Sequence, residues 1–152
     1  MQSSIQPLID GLGIHALVQK SDARGTVLHM IRNDSQDFHG FGECYFSEIL
    51  PSAVKAWKFH LNQMQNLAVP VGKVRLVVFD DREGSGTRGQ IQVLDLGRPD
   101  NYFRVTIPPQ LWYGFSCISA QPALLANFVN IPHDPSESIT TPMDEAKIPY
   151  HW

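Results

Sequence analysis

Lys58 and His60 stand two residues apart in "AVKAWKFHLNQ", residues 53–63. Strand alternation puts them on one face with Ala56, and puts Trp57, Phe59 and Leu61 on the other. Imidazole titrates near neutrality and is the commonest general acid and base. A lysine held in an apolar site either loses its proton and serves as a base, or stays charged and clamps an anion. On one face, inside an open barrel, the two suit proton transfer or anion binding. The plainer reading is that Lys58 snorkels out of a barrel mouth and His60 is an interior histidine with its hydrogen bonds met. The pattern alone leaves both open.

Other chemistries find less support. The histidines are His15, His29, His39, His60, His133 and His151, and no two make HxH or HExxH spacing. Cys44 and Cys117 have no CxxC partner and read as two packed, reduced cysteines. No metal and no organic cofactor is expected. Nucleophile elbow and P-loop patterns are absent. "GSGTRG" at 84–89 fits G-x-G-x-x-G letter for letter, but "QIQVLDLG" after it alternates like a strand. A dinucleotide site needs a helix there, so a hairpin loop is expected instead.

The elements that would position Lys58 and His60 read as strands. Short runs rich in Val, Ile, Phe and Tyr alternate with Gly, Pro, Asn and Asp clusters. "GIHALVQ" and "TVLHMIR" flank the hairpin turn "KSDARG". Then come "GECYFSEIL", "VKAWKFHL", "NLAVP", "VRLVVFDD", "QIQVLDL", "YFRVTIP", "YGFSCIS" and "LLANFVNI". About ten strands at spacings near 8–14 residues predict an all-β sandwich or barrel. The tail "PHDPSESITTPMDEAKIPYHW" is polar and predicts one short helical turn near "MDEAK".

The chain has 152 residues, 43% of them apolar, and a formal net charge of −3. That predicts one domain over 1–152 and argues against disorder. With no basic block, neither nucleic acid nor an anionic membrane is an expected partner. No run reaches the length of a membrane span, and "MQSSIQPLIDG" lacks the regions of a signal peptide, so a cytoplasmic location is expected.

Several stretches carry a resemblance. "DARG" at 22–25 is similar to D-x-R-G, and "VKAWKFH" falls where V-L-R-G-L-H-[FY]-Q is found. "GKVRLVVFDDREGSGTRG" resembles R-G-x-V-x-D-V-x-V-D-L-R-x-x-S-P-T-x-G, and "VTIPPQLWYGF" resembles I-P-P-G-F-A-H-G-F. These are motifs of the dTDP-4-dehydrorhamnose 3,5-epimerase family. The resemblance implies a cupin-type jelly roll, a double-stranded antiparallel β-helix with few short helices. It implies a nucleoside-diphosphate 4-keto-6-deoxysugar as ligand and homodimers made by exchange of N-terminal strands. The reaction it implies is proton transfer beside the ketone, by a histidine base, an enolate-stabilising lysine and a tyrosine acid.

Carried over by position, the base histidine falls on Lys58, the lysine on Asn66, the tyrosine on Ala126 and the histidine of A-H-G-F on Tyr113. The aspartate partner of the base falls near Leu76. Arg24 matches an arginine for the diphosphate, and Lys55 replaces another. Glu43 and Tyr45 replace glutamine and asparagine, while Val27 and His29 replace a phenylalanine and a glutamate. Related 3,4-ketoisomerases carry R-G-x-H-A-H, which aligns His60 with their second histidine. The expected proton-transfer residues are therefore Lys58, His60 and Tyr113, and the expected ligand-binding residues are Arg24, Glu43, Tyr45, Lys55, Asn66 and Asn127. With the base, lysine and tyrosine positions replaced, the standard 3,5-epimerase reaction is expected to be absent or weak. Three readings stand: an epimerase or isomerase with altered machinery, a non-catalytic cupin that binds a nucleotide sugar or small anion, and another chemistry on the same barrel.

Overall fold

The computed structural model describes residues 5–152, so the first four residues of "MQSSIQPLIDG" lie outside it. Twelve strands run in chain order: β1 Gly13–Ala16, β2 Gln19–Asp22, β3 Gly25–Leu28, β4 Glu43–Ile49, β5 Val54–His60, β6 Gln65–Val71, β7 Lys73–Phe79, β8 Ile91–Gly97, β9 Phe103–Ile107, β10 Trp112–Cys117, β11 Ala123–Val129 and β12 Ser138–Thr140. Two five-stranded antiparallel sheets, β1-β9-β6-β11-β4 and β12-β5-β10-β7-β8, face each other, and β2 and β3 form a separate hairpin. This is the all-β sandwich that the strand spacing predicts, in the jelly-roll form that the resemblance implies.

The alternation in β4 shows how the sequence sorts its faces. Tyr45, Ser47 and Ile49 turn inward while Cys44, Phe46 and Glu48 are exposed. Leu67 and Val69 from β6 meet Leu76 and Val78 from β7, Leu94 from β8, Val105 and Ile107 from β9 and Leu125 from β11 in one buried apolar cluster between the sheets. No helix among the described residues is long and apolar enough to cross a membrane.

Several details differ from the sequence reading. "GIHALVQ" is not one strand: β1 pairs with β9, the chain turns at Leu17 and Val18, and β2 pairs only with β3. The tail holds its helical turn at Pro142–Ala146, where Ala146 N donates to Pro142 O. It also holds a 3₁₀ turn, Pro135–Glu137, and the unforeseen strand β12. The 84–89 loop is a hairpin loop between β7 and β8, as expected. The buried Asp80 carboxylate ties it down, accepting from Arg82, Ser85 and Thr87.

The largest correction concerns β5. Lys58 lies opposite Tyr113 and Lys55 lies opposite Phe115, so Ala56 and Trp57 together face Gly114 alone. This is a β-bulge, and it resets the alternation. Lys55 and Lys58, three residues apart, both turn inward with His60, which strict alternation forbids. Trp57 therefore does not lie on an open apolar face with Phe59 and Leu61. It exchanges backbone hydrogen bonds with Thr141, and its ring packs on Trp152 and Tyr150 at centroid distances of 5.2 and 6.2 Å. Phe59 rests on Trp112, 5.0 Å away, and Leu61 is exposed.

The bulge packs closely because residue 114 has no side chain. A Cβ there would lie 2.5 Å from Ala56 Cβ and 2.9 Å from Trp152 Cζ2. Gly114→Ala should force the bulge and the tail apart and cost about 1–3 kcal/mol of stability, the usual price of overpacking. Chemical denaturation measures this; an unchanged midpoint would contradict the packing described.

Candidate active site

Between β4 and β11 on one side and β5 and β10 on the other lies a cavity of about 390 Å³. Tyr45, Ser47, Leu125 and Asn127 form one wall; Lys55, Ala56, Trp57, Lys58, Tyr113 and Phe115 form the other, with Thr140 at the edge. Two ammonium groups line it and no carboxylate does. Among the described residues Lys58 has no ion-pair or hydrogen-bond partner. Lys55 donates to Ser47 Oγ at 2.9 Å and to the Glu48 carbonyl at 2.8 Å. A ligand with negative charge would match this lining.

His60 is buried one layer behind the wall. Its Nε2 lies 3.1 Å from the Tyr113 hydroxyl, and its Nδ1 makes a short contact with Glu137 Oε1. The local fold explains the pairing. Asp134 caps the 3₁₀ turn by accepting from Ser136 N at 2.8 Å, and Glu137 ends the turn. Ser138 then opens β12 directly opposite His60 on β5. Glu137 is thereby held beside the end of β5, where its Oε2 also accepts from Asn62 N at 3.1 Å and Gln63 N at 3.0 Å. The sequence reading put the partner of the base near Leu76. Leu76 is instead a fully buried core residue.

Burial pushes the His60 imidazole below its ordinary value of 6.5, against the pull of Glu137 and with help from Lys58 and His133. Burial alone would raise Glu137; the hydrogen bonds from His60, Asn62 and Gln63 outweigh it and hold the carboxyl below 4.5. The resting pair is a carboxylate and a neutral imidazole. Assigned from this network, Nδ1–H donates to Glu137 and Nε2 is left to accept the Tyr113 proton. Burial, with Tyr45 and Glu137 adding to it, pushes the Tyr113 phenol well above its ordinary value of 10.

The polar chain continues to the opposite wall. Gln65 Oε1 lies 3.4 Å from Tyr113 Oη, whose single proton points to His60, and it accepts from Asn127 Nδ2 at 2.7 Å. Asn127 Nδ2 donates at 2.8 Å to Tyr45 Oη, and its Oδ1 accepts from Asn66 N at 3.2 Å. Gln65 Nε2 donates to Gln63 Oε1 at 2.8 Å, and Gln63 Nε2 donates to the Ile131 carbonyl.

Of the expected site residues, Lys55, Lys58, Tyr45, Tyr113 and Asn127 line the cavity, and His60 backs it. Asn66 is buried in structural hydrogen bonds with Phe128 and Thr106 and does not reach the cavity. Glu43 begins β4 outside the lining. Arg24 sits on the β2–β3 hairpin, exposed and paired with Asp22 at 2.7 Å, and does not line this chain's own cavity. Ala126 pairs with Phe46 on the face turned away, while Leu125 and Asn127 point inward. Sequence reasoning missed Glu137, Gln63 and Gln65. The only signal for Glu137 is "DPSES", an Asp-Pro turn that sets an acidic residue just before a strand, and nothing in the pattern singles out Gln63 or Gln65.

The sign of the pH dependence follows from these shifts. Between the depressed folded value of His60 and 6.5, the unfolded chain binds a proton that the folded chain does not, so stability falls as pH falls through that window. Glu137 adds a loss of the same sign below 4.5. The melting temperature should drop on going from about pH 7.5 to about pH 5. His60→Gln should show a shallower drop by scanning calorimetry; equal slopes would contradict the assignment.

No family model matches the chain. It is 32% identical over 146 residues to the probable low-salt glycan biosynthesis epimerase Agl13 of Haloferax volcanii, covering 95% of this chain and 90% of that protein. The crystal structure of a dTDP sugar isomerase from Desulfovibrio desulfuricans G20 superposes with a TM-score of 0.94 at 48% identity, over 98% of this chain and 95% of that one. The dTDP-4-dehydrorhamnose 3,5-epimerase of Bacillus anthracis, solved with TDP and pyrophosphate bound, shares the fold alone, with a TM-score of 0.85 at 16% identity over 99% and 89%. Its two antiparallel sheets, its "VTIPPQLWYGF" and "DARG" stretches and these relatives together show that the chain belongs to the dTDP-4-dehydrorhamnose 3,5-epimerase family of cupin-type sugar-nucleotide epimerases and isomerases.

Proposed function

We propose that the protein is an epimerase or isomerase of a nucleoside-diphosphate 4-keto-6-deoxysugar, acting by proton transfer beside the ketone. One observation carries this reading: the buried chain Glu137–His60–Tyr113 ends at the wall of a cavity beside the unpaired ammonium of Lys58. The relatives support the substrate class, being a glycan biosynthesis epimerase, a dTDP sugar isomerase and an epimerase with TDP bound.

Glu137 fixes the imidazole so that Nε2 faces Tyr113. As the Tyr113 oxygen takes the carbon-bound proton, its own proton passes to Nε2. The imidazolium that forms lies against the Glu137 carboxylate. The electrons of the C–H bond become the enolate, and its oxygen is met by Lys58. Lys55 adds positive charge for the diphosphate. Burial keeps Tyr113 protonated until His60 can accept. The residues themselves supply the base and the cation that this chemistry needs.

The test uses dTDP-4-keto-6-deoxyglucose in deuterated water. His60→Gln should keep dTDP affinity and lose about 10²–10⁴-fold in label uptake beside the ketone, the usual worth of a general base. Lys58→Ala should weaken dTDP-sugar binding roughly tenfold or more, the worth of a charge-assisted hydrogen bond. Lys58→Arg should keep that binding, since the charge remains. Label uptake by His60→Gln at the unmutated rate would refute the relay. Binding without any uptake by the unmutated protein would favour a non-catalytic nucleotide-sugar binder.

We also infer a homodimer in which the β2–β3 hairpin reaches a second copy. Support comes from the exposure of this hairpin, with Val27 64% exposed, and from Arg24, which is exposed and lies outside the lining of the cavity described above. Light scattering at micromolar concentration should give twice the mass of one chain; a monomer would count against the exchange.

A further inference from the structure

The two tyrosines of the cavity are hydrogen-bonded in opposite senses. Tyr113, on β10, directs its proton back into the protein toward His60 Nε2, so its oxygen is the side that receives. Tyr45, on β4 across the cavity, has the reverse polarity. Its hydroxyl oxygen accepts from Asn127 Nδ2 at 2.8 Å. An amide nitrogen has two hydrogens, and Asn127 spends the other on Gln65 Oε1 at 2.7 Å. The amide orientation is fixed from behind, because Asn127 Oδ1 accepts from Asn66 N. Tyr45 therefore keeps its own proton, and among the described residues no protein acceptor takes it.

The geometry points to Tyr45 as the acid of the reaction, delivering a proton to the face of the sugar opposite the one that Tyr113 and His60 strip. This rests on the proposed function above and deepens it. Inverting a carbon beside a ketone needs an acceptor on one face and a donor on the other, and the two sheets supply one of each. The proton balance closes. The C–H proton enters the Tyr113–His60 pair, its electrons form the enolate, and the enolate carbon takes the Tyr45 proton as the C=O bond reforms. The Tyr45 phenolate, stabilised by the Asn127 N–H, regains a proton from water at the open cavity, and the His60 imidazolium gives its extra proton back through Tyr113 to the same water, which restores both groups. Burial also raises the Tyr45 phenol, opposed by Asn127 and aided by Glu43, so the group is protonated at rest. Tyr113 and Lys58 sit opposite each other on paired strands of one wall, so neither reaches the other face.

Tyr45→Phe removes one hydroxyl and keeps the ring. The variant and the unmutated protein are incubated with dTDP-4-keto-6-deoxyglucose in deuterated water. Label and configuration beside the ketone are read by NMR, and dTDP affinity by calorimetry. The unmutated protein should take up deuterium and invert that carbon. Tyr45→Phe should still take up deuterium on the starting configuration, returned by Tyr113, while inversion falls about 10²-fold or more. Its dTDP affinity should be unchanged. Inversion at the unmutated rate overturns the assignment. So does equal loss of uptake and inversion with affinity intact, which would put Tyr45 at proton removal, and so does a loss confined to affinity. If the unmutated protein takes up no label, the proposed function fails and this assignment falls with it.

Discussion

The buried contact between Glu137 and His60 is the constraint on which the site depends. A carboxylate in this position is tolerable only if its oxygens are filled, because an unpaired buried charge is costly. Here the imidazole and two backbone N–H groups fill them. Those N–H groups belong to Asn62 and Gln63, the second and third residues after β5, so one side chain closes the end of the strand and orients the imidazole. The next residue begins β12, whose pairing with β5 covers the bulge and brings the tail's aromatic residues over Trp57. Breaking the pair would thus disturb the hydrogen-bond chain to Tyr113, the strand end and the tail together.

The bulge in β5 has a separate consequence. With regular alternation, either Lys55 or Lys58 would face solvent. With two residues opposite Gly114, both face the cavity. Two cations lining one cavity repel each other, and the structure handles them differently. Lys55 is tied to Ser47 Oγ and the Glu48 carbonyl, while Lys58 is left unpaired. That arrangement favours a ligand carrying concentrated negative charge, which a diphosphate provides and a neutral sugar does not.

The sequence made the strands, their antiparallel class and the cavity-facing role of Lys58, Tyr113 and Asn127 legible. Period-two patterns survive wherever one face is buried and the other wet, as in β4. The inward turn of Lys58 and His60 came from the same rule, and it held because both lie after the bulge. What was hidden depends on contacts between distant segments. Glu137 meets His60 across 77 residues, through the register of a three-residue strand that no apolar pattern announces. The bulge is a count of residues against a partner strand, and a single strand's pattern does not carry it. Trp57 looked like a member of an uncovered face because the chain end that covers it reads as polar.

Positional carry-over from relatives also shows where motif reasoning stops. Matching columns put the family's tyrosine on Ala126, whose side chain faces away from the cavity, and its base on Lys58. Read by column, the machinery is gone. Read by wall, each chemical type is present again: an imidazole paired with a carboxylate behind β10, a lysine on β5 and tyrosines on both sheets. Proton transfer constrains where a group's reactive atom sits and which way its hydrogen points; it does not constrain which strand supplies it. Glu137, through His60, turns the Tyr113 proton into the protein, and the Asn127 N–H makes the Tyr45 oxygen an acceptor, so the two hydroxyls have opposite hydrogen-bond senses. Each hydroxyl therefore takes its direction from buried groups behind its own wall and not from its neighbours on the strand.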